Sequence, residues 1–152
     1  MSYKPSYQED TACARITRDL CVDGTITFSG GFAGATGIGT YACPVTVAVS
    51  DLVYLSAGGT VDKASAASPA TAAMGVVLTK PTAFSAVVLF GEGEASVFLG
   101  LTPTAQYYLS LVAGAVMIGV AGLGAGNVVQ RVGQAKSATT MILKVNDDFT
   151  VL

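Results

Sequence analysis

Apolar and polar positions alternate with a period of two along most of this chain, the pattern of strands that bury one face. Residues 24–28 (GTITF) interleave Thr with Ile and Phe. Residues 45–49 (VTVAV) and 52–55 (LVYL) are β-branched, aliphatic or aromatic and are separated by Ser50-Asp51. Ala57-Gly58-Gly59-Thr60 reads as a turn, because paired glycines supply the positive φ of tight hairpins, and Val61 then begins the return strand. The small, Pro-containing run 64–73 (ASAASPATAA) reads as a loop. Further strands are predicted at 74–79, 86–90 and 95–99, with a break at Lys80-Pro81 and a turn at Gly91-Glu92-Gly93. The chain closes with strands at 140–145 and 149–152 around an Asn146-Asp147-Asp148 turn. The pattern predicts an all-β fold: a small β-barrel or sandwich-like domain with an extended N-terminal arm.

The stretch from Glu94 to Arg131 complicates this picture, since no charged residue lies between those two. Its length would suffice for a bilayer span, and Gly122 and Gly126 form a GxxxG pair. Gly114, Gly119, Gly122, Gly124 and Gly126 crowd one window, however, and each weakens a helix interior by about 1 kcal/mol relative to Ala. The flanks also lack the Lys/Arg bias that orients a span. Strand-sized pieces at 106–112 and 115–120 fit better, with glycines and Asn127 as turns. A membrane protein, such as a holin-like pore former, ranks behind the β reading.

A faint internal repeat points the same way. Tyr54-Leu55-Ser56 returns as Tyr108-Leu109-Ser110, Met74-Gly75-Val76 aligns with Val132-Gly133-Gln134, and Val87-Val88-Leu89 aligns with Met141-Ile142-Leu143. Residues 92–97 align with 146–151. The predicted organisation is an arm at 1–23 and a β domain at 24–152, the latter containing two similar units at about 45–99 and 100–152. The arm holds much of the chain's charge together with Tyr3, Pro5 and Tyr7, which offer contact area at low entropy cost. The Gly-rich segment 28–41, read as a loop, adds Phe32, Ile38 and Tyr41. These six residues are the candidate subunit or partner contacts.

Composition sharpens the functional question. Charged residues make up 12% of the chain, against about 25% in ordinary soluble domains, and the hydrophobic share is 51%. The net charge of −2 carries no basic footprint, so neither nucleic acid nor an anionic membrane is an expected partner. A surface this poor in charge suits a subunit that covers much of itself with copies or partners. The first residues carry charge and no apolar run, so no signal peptide is expected there.

No catalytic constellation emerges. The chain has no His, which removes the commonest general base and the usual nucleophile pairs. Cys13, Cys21 and Cys43 lack metal-ligand spacing. The glycines of 31–39 match neither a phosphate-binding loop nor a dinucleotide fingerprint. Glu92 and Glu94, and likewise Asp147-Asp148, read as solvated turn residues. The expectation is a non-enzyme without cofactor or metal.

The second half carries Gly100-Leu101-Thr102-Pro103, then Tyr107-Tyr108-Leu109-Ser110, then residues 128–135 (VVQRVGQA) and 137–142 (SATTMI). With the upstream DLVYLSAGGTVDKA and MGVV segments, this pattern resembles small β domains of tailed-bacteriophage virion proteins: capsid decoration proteins, head fibres and tail fibres. A glycine follows the Pro in that pattern, and Thr104 stands in its place here. The resemblance implies a structural virion protein. Its leading form is a decoration, or cement, protein: a homotrimer bound to the major capsid protein lattice on the outer surface of the head, assembled in the host cytoplasm. The alternative is a tail-fibre or baseplate module touching host glycans through exposed aromatics.

Overall fold

The computed structural model describes residues 37–145 and 148–152. The arm, the predicted strand 24–28, Tyr3, Pro5, Tyr7, Phe32, Cys13 and Cys21 lie outside the described residues. What is described is all-β, with every strand pairing antiparallel. No helix among the described residues is long and apolar enough to cross a membrane. The uncharged stretch instead forms the hairpin of β7 (Gln106–Leu109) and β8 (Val116–Ile118), flanked by turns.

The first sheet comprises β1 (Gly37–Ala42), β2 (Leu52–Leu55), β3 (Val61–Lys63), β4 (Gly75–Thr82) and β5 (Ser85–Phe90), in the order β1-β5-β4-β2-β3. The second comprises β6 (Glu92–Ala95), β7, β8, β10 (Arg131–Ala135) and β11 (Met141–Lys144), in the order β6-β11-β10-β7-β8. A short ladder joins β9 (Val128–Val129) to β12 (Thr150–Val151).

The two five-stranded orders are the same topology used twice, and the registers agree residue by residue. A row of directly paired residues crosses the first sheet through Gly37, Phe90, Gly75, Val53 and Lys63. Its counterpart crosses the second through Gly93, Leu143, Gly133, Tyr107 and Ile118. Tyr54 and Tyr108 therefore occupy equivalent sites, as do Gly75 and Gly133. Both glycines are required by close approach: a Cβ at Gly75 would lie 2.5 Å from the Leu89 carbonyl oxygen, and one at Gly133 would meet the equivalent oxygen of Ile142.

The sequence alignment of the repeat departs from this register in two places. Met141 is equivalent to Val88, one position from the alignment that paired it with Val87. Residues 92–95 open the second sheet as its edge strand, so the counterpart of this segment is β1 and not 146–151. The strands of the two sheets accordingly run from Gly37 to Phe90 and from Glu92 to Lys144.

Side-chain alternation decides how the sheets stack. Leu52, Val76 and Leu89 on one face of the first sheet share a core with Tyr107, Leu109, Ala135, Met141 and Leu143 of the second. By register, Leu52, Val76 and Leu89 correspond to Gln106, Gln134 and Ile142, which the second sheet turns outward, all of them exposed. The sheets thus pack unlike faces together. The opposite face of the first sheet buries Val53, Val61, Val77, Ala86 and Val88 in a second core with Cys43 and Val47.

Several predicted elements differ. Residues 45–49 are not a strand. A turn closes from the Val47 N–H to the Pro44 carbonyl (3.2 Å) and another from Asp51 N–H to Ala48 carbonyl (3.2 Å). Asp51 Oδ2 accepts the Ala48 N–H at 2.7 Å, holding the segment in turns that leave no ladder to join. Ile38 and Tyr41 lie on a strand rather than in a loop, since β1 pairs along its length with β5. β4 runs through Pro81 to Thr82, the register shifting between Thr79 and Thr82 so that proline's missing N–H breaks no regular ladder. The strand predicted at 95–99 ends at Ala95; beyond it Phe98 N–H and Leu101 N–H bond the carbonyls of Thr139 and Ala138.

The small-residue loop 64–73 is a structural bridge between the halves. Ala64, Ala66 and Ala73 are buried in the core that the two sheets share. Ala66 N–H donates to Ser110 O (2.9 Å), and Ala66 O accepts from Val128 N–H (2.8 Å). Gln130, buried, completes the bridge: Ala73 N–H donates to its Oε1 at 2.7 Å, and its Nε2 donates to Ala73 O at 2.8 Å. The side-chain amide thus imitates a strand partner and satisfies buried backbone that the loop would otherwise leave unpaired.

Candidate functional site

A contact surface must offer apolar area that the fold itself does not cover. The first such region is the end of the first sheet formed by the segment 43–50 and the tip of the β4–β5 hairpin. Cys43 and Val47 point inward and close the second core, which leaves Val45 (63% exposed) and Phe84 (68%) facing out. The Cys43 N–H donates to Phe84 O at 3.0 Å, joining segment and hairpin. Lys80 adds a second tie: its Nζ donates to the carbonyl oxygens of Val47 (2.6 Å), Ala83 (2.9 Å) and Val45 (3.4 Å). A cation is used here to gather carbonyls rather than to face solvent.

Of the candidate contact residues that are described, Ile38 and Tyr41 are not brought together. Ile38 pairs with Leu89, Tyr41 with Ala86, and strand alternation sends them to opposite faces. Ile38 is 66% exposed on the edge strand β1, as a contact residue would be. Tyr41 is half-buried. Its ring folds back over Gly39 and meets Phe90 edge to face, centroids 5.1 Å apart, so it serves mainly to seal the second core.

A second apolar region lies where the halves meet. Ser50, Asp51, Phe98, Leu99, Leu101 and the residues 114–116 line an open cavity of about 310 Å³, with Leu99 (88% exposed) on its rim. Asp51 anchors its floor through an ion pair with Lys63 Nζ (3.0 Å). Gly114 sits directly beside that carboxylate, where a Cβ would lie 2.7 Å from Asp51 Oδ1.

The third feature is an open groove of about 310 Å³ on the second sheet, lined by Tyr108, Val129, Arg131, Asp148, Phe149 and Thr150. Tyr108 and Arg131 are direct cross-strand partners on β7 and β10. Thr150 pairs with Val129, which carries Phe149 to the same place. No local signal in the sequence marks this set. Arg131 was noticeable as the first charge after a long neutral run, but only the long-range register sets it beside two aromatic rings.

Among the described residues there is no group of three or more His, Cys, Asp or Glu side chains that could hold a metal ion. Cys43 is a free, buried thiol. The Lys136–Glu94 ion pair (2.9 Å) is exposed and joins β6 to the end of β10. No family model, no curated protein and no solved structure matches the chain.

Proposed function

We propose that this chain is a structural protein of a tailed-bacteriophage virion and, within that class, a capsid decoration protein that binds the major capsid protein lattice as a homotrimer. The observation that supports this most directly is the combination of a two-sheet β body with large apolar side chains left outward at one end, Val45 and Phe84 around the Lys80 tie. A surface of that kind, on a chain with 12% charged residues, is suited to being covered by a protein neighbour. Closed cyclic symmetry is the economical way for copies of one chain to cover such patches. The phage-like motif of residues 100–142 supplies the virion context.

Fractionation of virions tests the reading. The protein should co-purify with DNA-filled heads, and recovery solely with detached tails would overturn it. Analytical ultracentrifugation of the purified chain should give a trimer. A Phe84→Asp, Val45→Asp double variant should keep the β circular dichroism spectrum and lose shell binding.

A further inference from the structure

We propose that the groove between β7, β10 and β12 is a binding site for an acidic pyranose, that is, a sugar ring bearing a carboxylate. At about 310 Å³ the groove lies at the small end of ligand pockets and has room for a single ring. Tyr108 and Phe149 supply aromatic faces, and Val129 extends the apolar wall. The C–H face of a pyranose carries partial positive charge, which the negative face of an aromatic ring attracts.

The charged groups define the rest. Arg131 is exposed, and its side chain has neither an ion-pair nor a hydrogen-bond partner among the described residues. Its planar guanidinium therefore presents unoccupied donors beside the rings, in the geometry that takes a carboxylate with two parallel bonds. Thr150 places a hydroxyl on the same lining, a donor and acceptor for the hydroxyls of a sugar, and Asp148, itself already engaged in an interaction, adds a carboxylate that a bare anion would avoid. An anion-only site would gather cations and exclude Asp148; an apolar-only site would have no place for an unpaired arginine. The combination of ring faces, a free guanidinium and a carboxylate fits a polyhydroxylated ring with one negative substituent.

The site stands apart from the decoration reading and holds whichever part of a virion the chain occupies. The test is a titration of the full-length chain by two-dimensional NMR with sodium glucuronate, glucose and sodium acetate, using wild type and Arg131→Gln. Glucuronate should give saturable shifts centred on Tyr108, Arg131 and Phe149. Glucose and acetate should each bind at least about tenfold more weakly, and Arg131→Gln should weaken glucuronate by about tenfold, the effect of losing one charge-assisted pair. Arg131 is exposed, so this variant should retain the wild-type spectrum elsewhere. Absence of saturable shifts at the groove overturns the proposal, as does acetate binding as well as glucuronate, or an unchanged affinity in Arg131→Gln.

Discussion

The two sheets share strand order and register yet do opposite things with them. In the first sheet both faces are buried, one against the second sheet and one against the segment 43–50. In the second, the face equivalent to Leu52, Val76 and Leu89 carries Gln106, Gln134 and Ile142 and is exposed. One backbone plan therefore becomes a middle layer or an outer layer according to a handful of side chains. Backbone pairing sets the topology, whereas burial on each face is set by which residues alternate along the strands.

Substitutions at equivalent positions break this comparison most directly. Val76→Gln places an amide between the sheets without partners and should cost about 3 kcal/mol, whereas the reciprocal Gln134→Val loses only the exposed bond from Gln134 Nε2 to Thr104 O (2.9 Å) and should cost no more than about 1 kcal/mol, both read from chemical denaturation. Equal effects would show that the faces are not differently buried. Where the sheets are alike, the response should be alike. Gly75→Ala and Gly133→Ala each push a methyl into a backbone carbonyl of the next strand, and each should cost about 2 kcal/mol or more.

A smaller effect isolates the cover that only the first sheet has. Lys80→Met removes the cation that gathers three carbonyls and should cost about 1 kcal/mol. In a Cys13→Ser, Cys21→Ser background it should also speed thiol labelling of Cys43, which the cover buries; an unchanged labelling rate would mean that Lys80 does not hold the segment down. The smallest change goes the other way. Thr104 adopts φ +68° in a turn closed by Ala105 N–H to Thr102 O (3.1 Å), with Pro103 in the preceding corner. That is the glycine position of a type II turn. Thr104→Gly should raise stability by about 0.5–1 kcal/mol, measured as a higher melting temperature, since a β-branched residue is costly in that region.

Much of the β character was legible because the signals are local. LVYL, the Ala57–Gly59 turn, Val61 and the alternation in 140–145 each state their conformation within a few residues. The errors fall where distant partners decide. GIGTY has little strand propensity, and β1 exists because β5 offers a ladder and because Gly39 leaves room for the Tyr41 ring. VTVAV has high propensity and forms no strand, because Pro44 and the Asp51 carboxylate fold it into turns. The repeat was visible at Tyr54 and Tyr108 but drifted by one residue at Val88 and Met141, since segments of unequal length separate the strands. The role of Gln130 could not be read, because its partner Ala73 is remote in sequence and bonds it only through backbone atoms.

The stacking of unlike faces gives the body a direction. Two copies related by a dyad would turn the same surface inward and show the same surface on both outer sides. Here each repeat follows the other as steps follow in a staircase, so one outer side is a lidded apolar wall and the other an uncovered amide-bearing sheet. The two outer sides of the described body therefore offer different chemistry to whatever meets them.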